Sequence, residues 1–101
     1  MVVVVASIRV KSGQQAEFLE IFRSNVPKVV AEKGCLEYFP TVDCDAGLPV
    51  QKLDAQVVTI IEKWESIAAL HDHLASAHML DYRENVKDLV EDVSLKVLTG
   101  A

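Results

Sequence analysis

The chain opens with a run of apolar, mostly β-branched residues and then changes to helical spacing. Val2–Val10 is almost continuously apolar, which is typical of a strand that is covered on both faces. Ser12 and Gln15 lie three residues apart and predict a capping box at the start of a helix. Gly34 is suited to the position that closes this helix. The apolar stripe of the helix is Phe18, Phe22, Val26, Val29 and Val30.

The middle of the chain reads as two extended segments with a loop between them. Cys35–Cys44 is predicted to be extended. Asp45–Asp54 contains a glycine and a proline, and it is predicted to be a loop. Ala55–Trp64 has an apolar, β-branched centre and predicts a further strand.

The last third of the chain predicts two short helices and a closing strand. Ser66 and Ser76 each precede a helical pattern and are suited to cap it. Val93–Leu98 alternates between apolar and polar residues and predicts the final strand. The apolar helical positions are Ile67, Leu70 and Leu74 in the first helix and Met79, Tyr82, Val86, Leu89 and Val90 in the second.

The predicted order is β-α-β-β-α-β, with the second helix broken at Ala75 and Ser76. This order predicts an α+β, ferredoxin-like fold with a four-stranded antiparallel sheet and helices on one face. The 101 residues allow one domain, spanning residues 1–101. The first and third strands are too apolar to leave the other sheet face in water, so we expect a homodimer that covers it.

Charge and composition disfavour several classes of partner. Fifteen acidic and ten basic residues give a net charge of −5, which disfavours binding to nucleic acid. The apolar run Met1–Ala6 is too short to span a membrane and lacks the basic start of a signal peptide. Cys35 and Cys44 form no CxxC motif and fit two thiols in a reducing compartment. We therefore expect a cytoplasmic protein that binds neither nucleic acid nor membrane.

Polar and aromatic residues with useful chemistry cluster in the second half of the chain. Trp64 fills protein cores as often as it forms a platform for a ligand. Glu62 is suited to solvent or to an ion pair, and Tyr82 lies on an apolar stripe where packing alone explains it. The pattern leaves structural and functional roles open for these residues. The cluster comprises Glu62, Trp64, His71, His73, His78 and Tyr82.

The three histidines do not form a metal-binding pattern in the sequence. His71 and His73 are two residues apart on a helix and point in nearly opposite directions. His73 and His78 can converge only across the helix break, and no third ligand lies at helical spacing. Periodicity places His71 nearer the apolar stripe, so it does not favour His73 as the buried histidine. No phosphate-binding or dinucleotide motif occurs either, and we expect no metal and no cofactor.

Five short motifs carry a resemblance to a known family. They are Gly34-Cys35-x-x-Tyr38, Thr41-Val42-Asp43-Cys44-x-Ala46-Gly47, Ile60-Ile61-Glu62-x-Trp64-Glu65-Ser66-Ile67-Ala68, Leu70-x-x-His73-Leu74 and His78-Met79-x-x-Tyr82. With these motifs the chain resembles the antibiotic biosynthesis monooxygenase family, and within it the quinol monooxygenases. The resemblance extends over nearly the whole chain.

The resemblance implies a dimeric α+β barrel that oxidises quinols with dioxygen and without metal or flavin. It implies that His73 accepts a proton from a phenolic substrate and that His71 has no role. An imidazole is suited to this step because it titrates near neutral pH and because a phenol anion gives up an electron readily. The substrate-binding residues that the resemblance implies are Tyr38, Glu62, Trp64, His78 and Tyr82.

Departures from related proteins disfavour one function and leave two alternatives open. A haem-degrading branch has an Asn where this chain has Ala6 and Ser7, and a haem-ligating His near the position of Arg83. One alternative is an isomerase of a small phosphorylated signal molecule, which the lack of a clustered basic site disfavours. The other is a non-catalytic dimeric module that binds an aromatic ligand. Activity without dioxygen would indicate the first, and binding without turnover would indicate the second.

Overall fold

A computed structural model describes residues 1–101 and contains seven elements. The strands are β1 (Val2–Val10), β2 (Cys35–Val42), β3 (Val57–Trp64) and β4 (Val90–Leu98). The helices are α1 (Gln15–Val30), α2 (Ile67–Leu74) and α3 (Ala77–Val86). The predicted order of elements is confirmed, although Val90 begins β4 and does not continue the last helix. No helix has the combination of length and apolar character that crossing a bilayer requires.

The four strands form one antiparallel sheet in the order β2-β3-β1-β4. This confirms the α+β, ferredoxin-like prediction. The register pairs Val4 of β1 with Glu62 of β3 and with Val97 of β4. Because directly paired residues project to the same side of a sheet, Glu62 lies on the same face as the buried residues of β1.

The core lies between the helices and one face of the sheet. Burial alternates along β1 and β3, and the even-numbered residues of both strands are buried. The helices cover this face with residues from all three elements. These are Phe18, Phe22 and Val29 of α1, Leu70 of α2, and Met79, Tyr82 and Val86 of α3. Val30 was predicted to join the stripe of α1 but is half exposed.

The other face of the sheet is uncovered in the single chain. The odd-numbered residues of β1 and β3 are partly accessible. The register places Phe39 opposite Ile61 and Val3 opposite Leu98 on this face. Phe39 and Leu98 are both exposed by more than two fifths. Coverage of this apolar face by a second copy stays a prediction.

One of the three predicted helix starts is capped as predicted. The hydroxyl of Ser66 accepts a hydrogen bond from the backbone N–H of Ala69 at 3.1 Å. Ser76 occupies the capping position of α3 without a cap bond, and its hydroxyl donates to a carbonyl of α2. The prediction of a capping box formed by Ser12 and Gln15 is wrong. Helix α1 begins at Gln15 itself, and this side chain donates to a carbonyl of the β2–β3 loop.

Candidate functional site

A mostly apolar cavity of about 430 Å³ lies between α3 and the covered face of the sheet. Ligand pockets commonly measure roughly 300–1,000 Å³, so the cavity has room for a small aromatic molecule. Ala6 and Ile60 form its floor, and Val93 and Leu95 of β4 also line it. These two β4 side chains are each 52% exposed. The cavity therefore opens at the β4 edge of the sheet.

Four of the six predicted site residues line this cavity. They are Tyr38, Glu62, His73 and Tyr82. Trp64 and His78 were expected among the wall residues, but the structure places both behind the lining. Trp64 is fully buried, with its ring centroid 4.5 Å from that of His73. His78 contacts Glu32.

His73 is the buried histidine of α2. It is 1% exposed, whereas His71 is exposed. Leu70 and His73 lie three residues apart and form the buried face of the helix. Ile67 was predicted to lie on that face but is 48% exposed. The apolar stripe is therefore rotated relative to the sequence prediction, and this rotation brings His73 into the interior.

Aromatic rings fix the orientation of the His73 imidazole. Trp64 lies against it with an interplanar angle of 34°, and Tyr38 meets it edge-on at a centroid distance of 5.4 Å. Nδ1 of His73 lies 2.8 Å from a carboxylate oxygen of Glu32, whereas Nε2 has no partner in the chain. No fully buried side-chain nitrogen or oxygen lacks a hydrogen-bond partner. Nε2 is therefore accessible, and the accessible space beside His73 is the cavity.

Glu32 is a site residue that the sequence reasoning missed. Its Oε2 lies 2.8 Å from Nδ1 of His73 and 2.8 Å from Nε2 of His78. The side chain is 14% exposed. Glu32 follows the C-terminal end of α1, where the helix dipole disfavours a negative charge. An acidic residue at the end of a helix indicates that partners from other elements compensate its charge. The position of Glu32 just before Gly34 could therefore have indicated its role from the sequence.

The same three residues are the set that could hold a metal ion. The candidate ligand atoms of Glu32, His73 and His78 all lie within 4.8 Å of one another. Two imidazoles and a carboxylate suit zinc or iron. Helical spacing offered no third ligand, and Glu32 joins the two histidines from a different element.

The distances within this set fit hydrogen bonds better than coordination. One oxygen of Glu32 lies 2.8 Å from both ring nitrogens. Ligand atoms bound tetrahedrally to one zinc ion stand roughly 3.3 Å apart, given bonds of about 2.0–2.1 Å. The expected absence of a metal and of a cofactor stays a prediction.

Burial keeps His73 neutral near pH 7. It lowers the pKa of His73 below the ordinary value of 6.5, and the nearby His78 and Arg83 act in the same direction. The hydrogen bond to Glu32 and the charge of Glu32 oppose this shift. His73 is therefore an unprotonated imidazole at neutral pH. It can accept a proton through Nε2.

Burial also raises the pKa values of three further residues that line the cavity, Glu62, Tyr38 and Tyr82. Burial raises the pKa of Glu62 to about 7, although its hydrogen bond from Trp64 opposes the shift. That bond runs from Nε1 of Trp64 to Oε1 of Glu62 at 3.0 Å. Burial also raises the pKa values of Tyr38 and Tyr82 above their usual range, so both stay protonated. The cavity thus combines one proton acceptor with hydroxyl groups that can donate hydrogen bonds.

Comparison with known proteins shows the family of the chain. Residues 1–85 match the family model described as "Antibiotic biosynthesis monooxygenase". The chain is 41% identical over 100 residues to a protein of Escherichia coli strain K12 named "Probable quinol monooxygenase YgiN". That match covers 97% of this chain and 96% of the relative.

Solved structures show the same fold. The structure of PA3566 from Pseudomonas aeruginosa superposes with a TM-score of 0.82 at 25% identity, covering 99% of this chain and 93% of that one. The structure of SO0527 from Shewanella oneidensis superposes with a TM-score of 0.81 at 28% identity, covering 96% and 87%. Sequence and fold agree, and the chain belongs to the antibiotic biosynthesis monooxygenase family.

Proposed function

We propose that this protein is a monooxygenase that oxidises quinols or related electron-rich aromatics with dioxygen and needs no cofactor. Family membership supports the reaction class, and the name of the Escherichia coli relative supports a quinol as substrate. One structural observation carries the proposal for this chain. A buried, neutral imidazole, His73, presents an unpartnered nitrogen to an apolar cavity.

The proposed chemistry begins with a proton transfer. Nε2 of His73 takes the phenolic proton of a bound quinol, which leaves an electron-rich anion in the cavity. The anion, unlike the neutral quinol, transfers an electron to dioxygen readily. The apolar lining excludes water and protects the reactive intermediates. The substrate thus supplies the redox chemistry that a cofactor supplies in other oxidoreductases.

The overall reaction balances without an external reductant. One hydroquinone and one dioxygen give one hydroxyquinone and one water. One oxygen atom enters the ring, and the other leaves as water with two hydrogens from the substrate. All electrons that reduce dioxygen therefore come from the quinol.

The remaining residues of the site have supporting roles in this proposal. Tyr38 and Tyr82 are protonated and line the cavity, so their hydroxyl groups are available to bind the second oxygen of the substrate. Glu62 offers a further polar group on the same surface. Trp64 holds the imidazole and Glu62 from behind the cavity.

The charges at the cavity do not favour the isomerase alternative. Arg83 and Lys87 line the cavity and are the cations that a phosphate would need. Arg83 already donates to the carbonyl of Leu74 at 2.6 Å, and Lys87 pairs with Glu84 at 2.5 Å. Lys87 is thus paired with a carboxylate, and Arg83 alone is not the clustered basic site that would favour a phosphate group.

Turnover of a panel of hydroquinones under ¹⁸O₂ tests the proposed function. The protein is first treated with chelator, and both dioxygen uptake and product mass are measured. We expect one ¹⁸O atom per product molecule, one dioxygen consumed per quinol, and no hydrogen peroxide above the protein-free rate.

Other outcomes would contradict the proposal in distinct ways. An unlabelled quinone together with hydrogen peroxide would indicate an oxidase. Quenching of Trp64 fluorescence without turnover would indicate a binding module. Turnover of a phosphorylated sugar without dioxygen would indicate an isomerase.

A further inference from the structure

One carboxylate oxygen joins the two histidines beside the cavity. Oε2 of Glu32 lies 2.8 Å from Nδ1 of His73 and 2.8 Å from Nε2 of His78. The three residues come from the turn after α1, from α2 and from α3. Their exposure rises outward, because the side chains of His73, Glu32 and His78 are 1%, 14% and 21% exposed. The group therefore links the interior of the cavity wall to the surface.

The contact with Glu32 determines which nitrogen of His73 carries the proton. An ionised carboxylate only accepts hydrogen bonds, so Nδ1 must carry the hydrogen that it donates to Glu32. In a neutral imidazole the other nitrogen is then the proton acceptor. That other nitrogen, Nε2, is the one without a partner in the chain.

We propose that Glu32 is a positioning residue for the monooxygenase reaction: it holds His73 in the tautomer whose Nε2 accepts the substrate proton, and it stabilises the imidazolium that forms. This inference rests on the proposed function of His73 as the base. Glu32 does not line the cavity and acts only through His73.

The stabilisation follows from the burial of His73. When Nε2 takes a proton, a positive charge appears on a side chain that is 1% exposed. An unpaired charge at such a position is strongly disfavoured, whereas a carboxylate in direct hydrogen-bond contact compensates it. The pairing resembles the aspartate of a serine-protease triad, which orients a histidine and stabilises its charged form.

His78 keeps Glu32 in place. Its Nε2 bonds the same carboxylate oxygen and also lies 3.2 Å from the hydroxyl of Ser76. Ser76 in turn donates to the backbone carbonyl of His73 at 2.8 Å. The charge of Arg83 on α3 also opposes protonation of His73, and the neighbouring His78 acts in the same direction. Glu32 is the group that favours the protonated form of His73.

Metal binding by the same three residues would exclude this role. A metal ion on Nδ1 would displace the hydrogen that Nδ1 donates to Glu32. The remaining hydrogen of a neutral imidazole would then lie on Nε2, which could no longer accept a proton. The two possibilities therefore predict opposite tautomers and are separated by one experiment.

Glu32→Gln tests the inference because it keeps the shape of the side chain and removes its charge. The matched control is Glu20→Gln, an exposed change on α1. For Glu32→Gln we expect kcat/KM for hydroquinone to fall roughly 100-fold, with little change in KM, by analogy with the loss of a histidine-orienting carboxylate. The acid limb of the pH profile should move to lower pH, because Glu32 raises the pKa of His73.

The tautomer of His73 is measured independently of activity by long-range ¹H–¹⁵N NMR on the wild-type chain. Three histidines are present, so single His→Gln variants assign the signals. We expect hydrogen on Nδ1 of His73. Three outcomes would each overturn the inference. They are hydrogen on Nε2 of His73, an unchanged kcat/KM and pH profile in Glu32→Gln, and stoichiometric bound zinc that is required for activity.

The NMR measurement also separates the inference from the proposed function. If the wild type oxidises no hydroquinone but carries hydrogen on Nδ1 of His73, the proposed function fails while the contact with Glu32 stands. If the wild type is active and carries hydrogen on Nε2, the oxidation of quinols stands, whereas the roles of Glu32 and of Nε2 as the proton acceptor fail.

Discussion

His73 and Glu62 show how burial sets the charge of individual residues in this cavity. Removal from water disfavours the charged form of any group, so it lowers the pKa of a histidine and raises that of a carboxylic acid. His73 is shifted below 6.5 and Glu62 is raised to about 7. Two ionisable residues therefore line the same cavity, with His73 as a neutral imidazole and Glu62 as a carboxyl group that is only partly ionised near pH 7.

The raised pKa of Glu62 predicts a specific dependence of stability on pH. Its ordinary value is 4.5, so between about pH 5 and pH 7 the folded chain holds a proton that the unfolded chain has released. The contribution of Glu62 to the free energy of unfolding therefore falls as the pH rises through this range. His73 contributes the opposite slope below its ordinary pKa of 6.5, because its pKa is lowered on folding.

Glu62→Gln isolates the contribution of Glu62. Glutamine retains an oxygen that can accept from Trp64 but has no titration. The free energy of unfolding of the variant, relative to that of the wild type, should rise by roughly 2 kcal/mol as the pH is raised from 5 to 8. Urea unfolding at several pH values measures this difference, with Glu20→Gln as the control. Parallel pH profiles for Glu62→Gln and the wild type would contradict the assignment.

At the scale of elements, close packing of the α1–β2 turn against α2 brings Glu32 to His73. Gly34 in this turn has φ of +88°, and a Cβ atom there would lie 2.7 Å from Cβ of Ala69. The backbone carbonyl of Gly34 also accepts from the N–H of Glu65 at 2.8 Å. Glycine is therefore required both by its backbone conformation and by the approach of α2.

Gly34→Ala should destabilise the fold more than Gly13→Ala does. Gly13 has a similar φ of +80°, but nothing lies within 4 Å of a Cβ atom there. We expect a loss of about 1 kcal/mol at Gly13 from backbone strain alone. At Gly34 the steric clash adds roughly 1–3 kcal/mol.

Denaturant unfolding of both glycine variants provides the comparison. Because the Gly34 turn also carries Glu32, Gly34→Ala should in addition lower the rate of quinol oxidation. Equal losses of stability in the two variants would contradict the close approach of the turn to α2.

For the whole molecule, the pattern of hydrophobic residues predicted the order of elements and the sheet. The apolar runs predicted β1 and β3 as strands, although the alternating burial along them is visible only in the structure. The stripe of α1 predicted most of its buried side. The polar and aromatic cluster from Glu62 to Tyr82 also contains residues that the structure brings to one cavity. Four of the six predicted site residues line one cavity.

Short helices and long-range contacts set the limit of the sequence reasoning. Helix α2 has only eight residues, so placing the single residue Ile67 on the buried side was enough to shift the predicted buried face. The pattern therefore did not show whether His71 or His73 is buried. The contact of Glu32 with His73 spans 41 positions. Periodicity along a single element carries no information about such a contact. The same holds for the convergence of His73 and His78 across the helix break.

The central claim is that His73 takes a proton from a bound phenol, and ultraviolet difference spectra measure this step directly. An acidic phenol such as a nitrophenol, whose acidity is comparable to that of an imidazolium ion, is bound without dioxygen at a pH where the free compound is mostly neutral. We predict the phenolate absorbance with the wild type and with His71→Gln, and its absence with His73→Gln at saturating ligand. A neutral spectrum with the wild type, or a phenolate band that persists in His73→Gln, would contradict the claim.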